Sequence, residues 1–142
     1  MSAGRSLAVA LLLAAPGWAA AEWTTLASTE NFVVEIDPHL VRTQGDFAMA
    51  YTRATFTVPQ PVEGKPDVKQ QSQLQLHAID CAAGASTVVG VAVYPGTYAR
   101  GEIIEQTTRP RPEWNPRPAP PGSLVEVVVR TACAEVSRRA TK

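Results

Sequence analysis

The chain predicts a single small α+β domain: a mostly antiparallel β-sheet with a C-terminal α-helix tied to it by a disulfide. Three observations predict it. Alternating or β-branched runs fill the chain from Phe32 to Gln106, an apolar period of 3.6 residues is confined to 123–136, and Cys81 and Cys133 fall one in each region.

The cysteines are expected to pair because the N-terminus is built for export. Residues 1–21 place Arg5 in a short basic start, nine apolar residues from Leu7 to Ala15, a break at Pro16-Gly17, and the small residues Ala19-Ala20-Ala21 before Glu22. That order is the pattern of a cleavable signal peptide, with residues 22–142 as the mature domain. In an oxidising compartment two thiols form a disulfide rather than stay free. Closing the 52-residue separation stabilises by about 4 kcal/mol in the chain-entropy model. The spacing excludes a CxxC redox pair. Two cysteines also cannot complete a structural zinc site without two histidines, and His39 and His77 stand apart.

Charge and hydropathy bound the partners. Of 13 Lys and Arg against 13 Asp and Glu, Arg5 leaves with the leader, so the mature chain carries 12 against 13. That balance lacks the basic face a nucleic acid needs. No apolar run of about 20 residues follows the leader, so no membrane span is expected. No cysteine stands at the cleavage point to take a lipid anchor. The expected product is soluble, periplasmic or secreted from a Gram-negative bacterium.

The elements follow in order. Phe32-Val33-Val34-Glu35-Ile36 is a strand stopped by Asp37-Pro38, and Thr43-Gln44-Gly45-Asp46 supplies a turn. From Phe47 to Phe56 the odd positions Phe47, Met49 and Tyr51 are large while Ala48, Ala50 and Thr52 are small. One face therefore packs a core, and the other meets something close. Pro59, Pro61, Gly64 and Pro66 make Val58 to Lys69 a loop. Ser72 to Cys81 is a strand with Leu74 and Leu76 on one face and Gln73, Gln75 and His77 on an exposed one. Ile79 and Cys81 share the parity of the polar set, which requires a bulge or a face covered partway along. Val88 to Tyr94 is apolar throughout, as in a central strand buried on both faces. Glu102 to Gln106 is a shorter last strand.

Six prolines between 110 and 121 make the connector 107–122 extended and exposed, with polyproline II its only regular option. It carries Arg109, Arg111 and Arg117 around Trp114. These four residues form a candidate ligand surface for acidic glycans or proteins; the alternative is a solvated link whose Trp114 folds back onto the sheet. Ser123 and Glu126 then have the spacing of a capping box. Val125, Val128, Val129, Ala132 and Val136 follow at helical spacing, Cys133 lies beside that stripe, and Glu126 and Arg130 make an i,i+4 pair.

These landmarks resemble a family. Trp23 after the leader, Asp37 closing a strand, Gly45 in the next turn and Ser72 opening a strand that ends at Cys81 are joined by Trp114, Pro121-Gly122-Ser123, Glu126 and Cys133. Their order and spacing over nearly all of the mature chain are similar to the surface-adhesin protein E family. The resemblance implies a compact antiparallel sheet carrying a C-terminal helix, with the two cysteines bonded. It implies relatives that bind host matrix glycoproteins, beside many small exported proteins without an assigned role. This chain departs from the pattern in lacking the acylated cysteine of the adhesin lipoprotein and in having Met49 and Tyr51 where a tryptophan is common. The proline-rich 109–121 link departs from it as well.

Chemistry is not written in the sequence. There is no nucleophile elbow, no phosphate-cradling glycine motif, and Glu102 and Glu105 have opposite strand parity. No cofactor is implied. The reading is a non-catalytic binding or accessory domain of the surface-adhesin protein E type. An adhesin for host or matrix glycoproteins is the alternative, and a periplasmic enzyme comes third. A single helix covers one face of a sheet, so the second face calls for a homodimer or for folding of the sheet on itself.

Overall fold

The computed structural model describes residues 22–141; the leader of residues 1–21 lies outside the described residues. Eight strands form one antiparallel sheet: β1 (Thr24–Ser28), β2 (Phe32–Ile36), β3 (Arg42–Gln44), β4 (Phe47–Val62), β5 (Lys65–Asp80), β6 (Ala85–Tyr94), β7 (Glu105–Thr108) and β8 (Arg117–Pro118). The order is β1-β2-β4-β5-β6-β7, with β3 pairing β4 and β8 pairing β6. One helix, α1 (Leu124–Ala140), packs on one face. The α+β class, the antiparallel sheet and the C-terminal helix are as the sequence predicts.

The size alternation in β4 sets where the helix docks. Ala48 and Ala50 are the small residues, and they pack with Ile36, Val41 and Ile79 against Val128, Val129 and Ala132 of α1. Small side chains let the helix approach, and the large set Phe47, Met49 and Tyr51 turns to the other face. At the start of α1, Ser123 Oγ accepts from the Glu126 amide at 3.2 Å. Glu126 Oε1 accepts from Gly122 N rather than from Ser123 N, whose amide bonds Pro120 O. At the other end, Arg139 donates to the carbonyls of Val41 and Pro38. Cys81, just past β5, is bonded to Cys133, with Cα atoms 5.7 Å apart. The helix is thus held by a cap, a covalent bond and a terminal arginine.

Several sequence expectations need correction. Val58–Lys69 is not a loop: β4 and β5 form one long hairpin turning at Glu63-Gly64. Its prolines are tolerated because the ladder is interrupted there, with register shifts between Thr55 and Gln60 and between Pro61 and Val62. The strand expected at Glu102–Gln106 is Glu105–Thr108, beginning opposite Val93, and it is not the last, since β8 follows it. The connector is not simply extended. It makes a 3-10 turn at Arg111–Glu113 and a short strand at Arg117–Pro118 on Ala85 and Ser86.

His77 is also not on an exposed face. It is 5 % exposed, because its strand face passes beneath α1. The pairing of β4 with β5 runs without a shift from Ala48↔Ile79 to Thr55↔Ser72, so the parity change along β5 comes from the helix covering Ile79 and His77. The shift on the other side of β5, between Leu76 and His77, lies in the pairing with β6.

The second face is covered in part by the connector. Trp114 meets Phe47 edge-on, with ring centroids 5.4 Å apart, over a cluster of Met49, Ala78 and Val89. In the expected doubly buried strand, Val89, Ala92 and Val93 are buried, whereas Val88, Val91 and Tyr94 remain half-buried. The rest of that face is open, and it forms the site described next.

Candidate functional site

Strand parity builds the floor of the site. Tyr51 of β4 stands opposite Leu76 of β5, Leu74 opposite Ala92 of β6, and Leu76 opposite Gly90. All of them lie on the face turned away from α1. With Tyr94, Trp23, Leu40 and Ile103 they line an apolar trough of about 360 Å³. Tyr51 and Ile103 are 36 % and 43 % exposed, so aromatic and aliphatic surface meets solvent here in one place. Two smaller clefts border it. One, of about 280 Å³, shares Gly90, Thr107 and Thr108 but also takes in Gln75, from the α1 side of the sheet, and reaches Arg109. The other, of about 320 Å³, shares Tyr51 and Leu76 and is walled by Arg42, Thr43 and Gln44.

The trough wall at Trp23 is stiffened by a half-buried cation. Arg53 lies opposite Glu35 across the β2–β4 ladder, and its Nε and Nη2 donate to the Glu35 carboxylate at 2.8 and 3.1 Å. Its guanidinium sits 4.4 Å from the Trp23 ring centroid and 5.1 Å from that of Tyr98. A planar cation lying against two aromatic rings with its edge paired to a carboxylate acts as a rivet rather than a free charge.

Tyr98 is held in a left-handed conformation, φ 54° and ψ 41°, and Ala99 follows at φ 59°. Such angles cost roughly 1–3 kcal/mol for a non-glycine residue and persist only where neighbours fix them. Here two strand hydroxyls do so. Thr55 Oγ1 accepts from Tyr98 N at 3.2 Å, and Ser72 Oγ accepts from Ala99 N at 2.8 Å while donating to Gly96 O at 2.5 Å. Thr55 and Ser72 are a cross-strand pair. The sequence singles out Ser72 only as a strand opening, and Thr55 and Arg53 carry no local signal of this role.

The four connector residues divide. Arg111 lies over both Phe47 and Trp114, 5.4 and 5.6 Å from their centroids, and Trp114 Nε1 donates to Arg109 O at 2.8 Å. Arg111 and Trp114 therefore form one packed unit with Phe47. Arg109 and Arg117 are exposed, Arg109 on the cleft at the β6–β7 sheet edge and Arg117 on the short strand β8.

His77 sits apart, on the helix side, at the floor of a groove of about 270 Å³ lined also by Phe32, Phe56, Gln73 and Leu124. Its Nε2 is 2.9 Å from Thr52 Oγ1, and its Nδ1 is buried without a partner. Burial lowers its pKa from 6.5 to about 4, so the ring is neutral at physiological pH. Among the described residues no group of three or more His, Cys, Asp or Glu gathers to hold a metal ion. No helix among them is long and apolar enough to cross a membrane.

No curated protein sequence matches the chain significantly. Among solved structures, protein E of Haemophilus influenzae is similar in fold, with a TM-score of 0.61 and 16% identity over 89% of this chain and 94% of that one. A crystal structure of protein E from non-typeable Haemophilus influenzae gives 0.60 and 16% over 89% and 84%. The family model described as surface-adhesin protein E matches residues 23–134, which include the trough, the arginine rivet, the Tyr98 loop and both cysteines. The chain belongs to the surface-adhesin protein E family.

Proposed function

We propose that this protein is an exported, non-catalytic binding domain of the adhesin E type, and that the open trough on the sheet face opposite α1 is its ligand seat. The observation that carries the reading is the trough itself: an apolar floor of Leu74, Leu76, Gly90 and Ala92 with tyrosine, tryptophan and isoleucine on its walls. Pre-formed apolar concavities with aromatic walls are the usual form of a recognition site. Arg42 walls the cleft that shares Tyr51 and Leu76 with it, and Arg109 lines the cleft at the neighbouring sheet edge. A protein ligand with apolar side chains flanked by acidic ones fits this pattern. Arg117 extends the same positive charge along the connector, beside the Arg111–Trp114 unit.

A second reading, an adhesin for host or matrix glycoproteins, is favoured by the family description and by the domain-wide likeness to protein E. The two readings share the seat and differ in the partner. The mature domain, immobilised, is probed with matrix glycoproteins and separately with a periplasmic and outer-membrane extract of its own host. Tyr51→Ala and Ile103→Glu, both on exposed trough positions, are expected to cut retention of the true partner at least tenfold. Arg109→Glu with Arg117→Glu is expected to weaken it in a salt-dependent way. Retention unchanged in the trough variants overturns the seat. Retention of matrix glycoproteins alone selects the adhesin.

A further inference from the structure

Asp37 is fully buried, yet among the described residues no lysine or arginine pairs with its carboxylate. Its partners are the His39 amide at 2.9 Å on Oδ1, the exposed His39 ring at 3.3 Å, and the backbone nitrogen of Glu22 at 3.1 Å on Oδ2. A buried carboxylate held mainly by neutral donors is costly, because amide dipoles replace its hydration only in part. The third donor is distinctive. Glu22 is the residue that follows Ala19-Ala20-Ala21, so its nitrogen is the atom that removal of the leader exposes.

We infer that leader removal between Ala21 and Glu22 completes the fold electrostatically, by converting the Glu22 amide into an α-ammonium that pairs with the buried Asp37 carboxylate. The inference rests on reading residues 1–21 as a cleaved leader. In the hydrolysis, water supplies its hydroxyl to the Ala21 carbonyl and a hydrogen to the Glu22 nitrogen as the C–N bond breaks. The proton of the new Ala21 carboxyl then passes to the amine, leaving a carboxylate on the leader and an ammonium on the domain. The nitrogen already stands at hydrogen-bond distance from Oδ2, so the pair forms without moving the chain. A hydrogen bond from a neutral amide to the carboxylate becomes an ion pair in which donor and acceptor are both charged.

The consequence reaches the trough. Trp23 is the next residue, and its ring both lines the trough and stacks on Arg53. A pinned Glu22 nitrogen fixes the first peptide of the domain and with it the Trp23 wall. The precursor, lacking the ion pair, holds that wall less firmly.

The test begins with the exported protein, whose first residue is read by mass spectrometry; Glu22 is expected, and any other start overturns the inference. The mature form is then compared with one bearing a single extra glycine before Glu22, each with Asp37 and with Asp37→Asn. The extension is expected to raise the unfolding equilibrium constant roughly ten- to hundredfold with Asp37 present, and to have little effect with Asp37→Asn. An equal effect in both backgrounds overturns the pairing. If Asp37→Asn fails to fold, the pH profile decides without it. An α-ammonium stabilised by folding contributes below its ordinary range of about 7.7–8.0 and is lost as pH rises above that range. The mature form should show this alkaline loss and the glycine-extended form should not; coincident profiles overturn the inference. Trough binding is measured separately, so failure of the ligand seat leaves this result intact.

Discussion

Ser72 holds Ala99 from beneath. Its hydroxyl, fully buried on β5, accepts the Ala99 amide at 2.8 Å and donates to Gly96 O at 2.5 Å, across 27 and 24 residues of chain. One hydroxyl thus serves both ends of the Gly96–Ala99 loop. Ser72→Ala leaves two backbone groups without their partner, one of them on a left-handed residue. The expected loss is about 1–3 kcal/mol in urea unfolding, and the Tyr98 loop should exchange its amides faster. Loss of stability without faster exchange at 97–99 would place the effect elsewhere.

Reducing the Cys81–Cys133 bond removes a cross-link spanning 52 residues. The chain-entropy model gives about 4 kcal/mol for a loop of this size. The double substitution Cys81→Ala with Cys133→Ala is expected to shift the urea midpoint downward by a comparable free energy. Val128, Val129 and Ala132 still hold α1 to the sheet, so its far-UV helical signal should persist at low denaturant.

The order of elements was legible because each rests on a local signal. Ser123 and Glu126 announce the start of α1, and the Ala48–Ala50 small-residue face announces where it docks. The prolines misled, because a proline signals a broken ladder whether the chain leaves the sheet or merely slips register, as it does at Pro59 and Pro61. His77 misled for a related reason: alternation along β5 records two faces and says nothing about a helix laid over one of them. The trough was least legible. Its residues come from six stretches of the chain, and Leu74, Leu76 and Tyr94 read locally as ordinary core. The family landmarks did not help either. Asp37, Gly45, Ser72, Ser123 and the cysteines sit at joints of the fold, and only Trp23 among them also lines the trough.

Gly45 turns the β3–β4 hairpin with φ +59°, and a Cβ there would lie 2.8 Å from Arg111 Nη2. Gly45→Ala therefore meets two penalties. A left-handed alanine costs about 1–2 kcal/mol, and the Arg111 guanidinium must leave its place over Phe47 and Trp114. The second penalty is small because the obstructing atom ends a flexible side chain. The thermal midpoint should fall, and Arg111→Ala should recover only a minor part of it. Full recovery would mean that backbone strain at Gly45 contributes nothing.

His77 gives the fold an acid-side dependence with a definite sign. Its pKa is about 4 in the folded protein because burial penalises the charged ring, against about 6.5 when unfolded. Between those values the unfolded chain binds more protons, so stability rises with pH across that window and falls as the solution is acidified through it. Above about 6.5 the group has no effect, and below about 4 its penalty is complete, on the order of 3 kcal/mol. The ring lies under the first turns of α1 with Thr52 as its one hydrogen-bond partner, so charging it is expected to loosen the helix from β4 and β5 before the sheet opens. His77→Gln removes the titration while keeping a polar group beside Thr52. The variant should be insensitive to pH between 6.5 and 4 apart from the carboxylates, and wild type should show the additional fall. A wild-type profile parallel to that of His77→Gln across the window would mean that His77 takes its proton without strain.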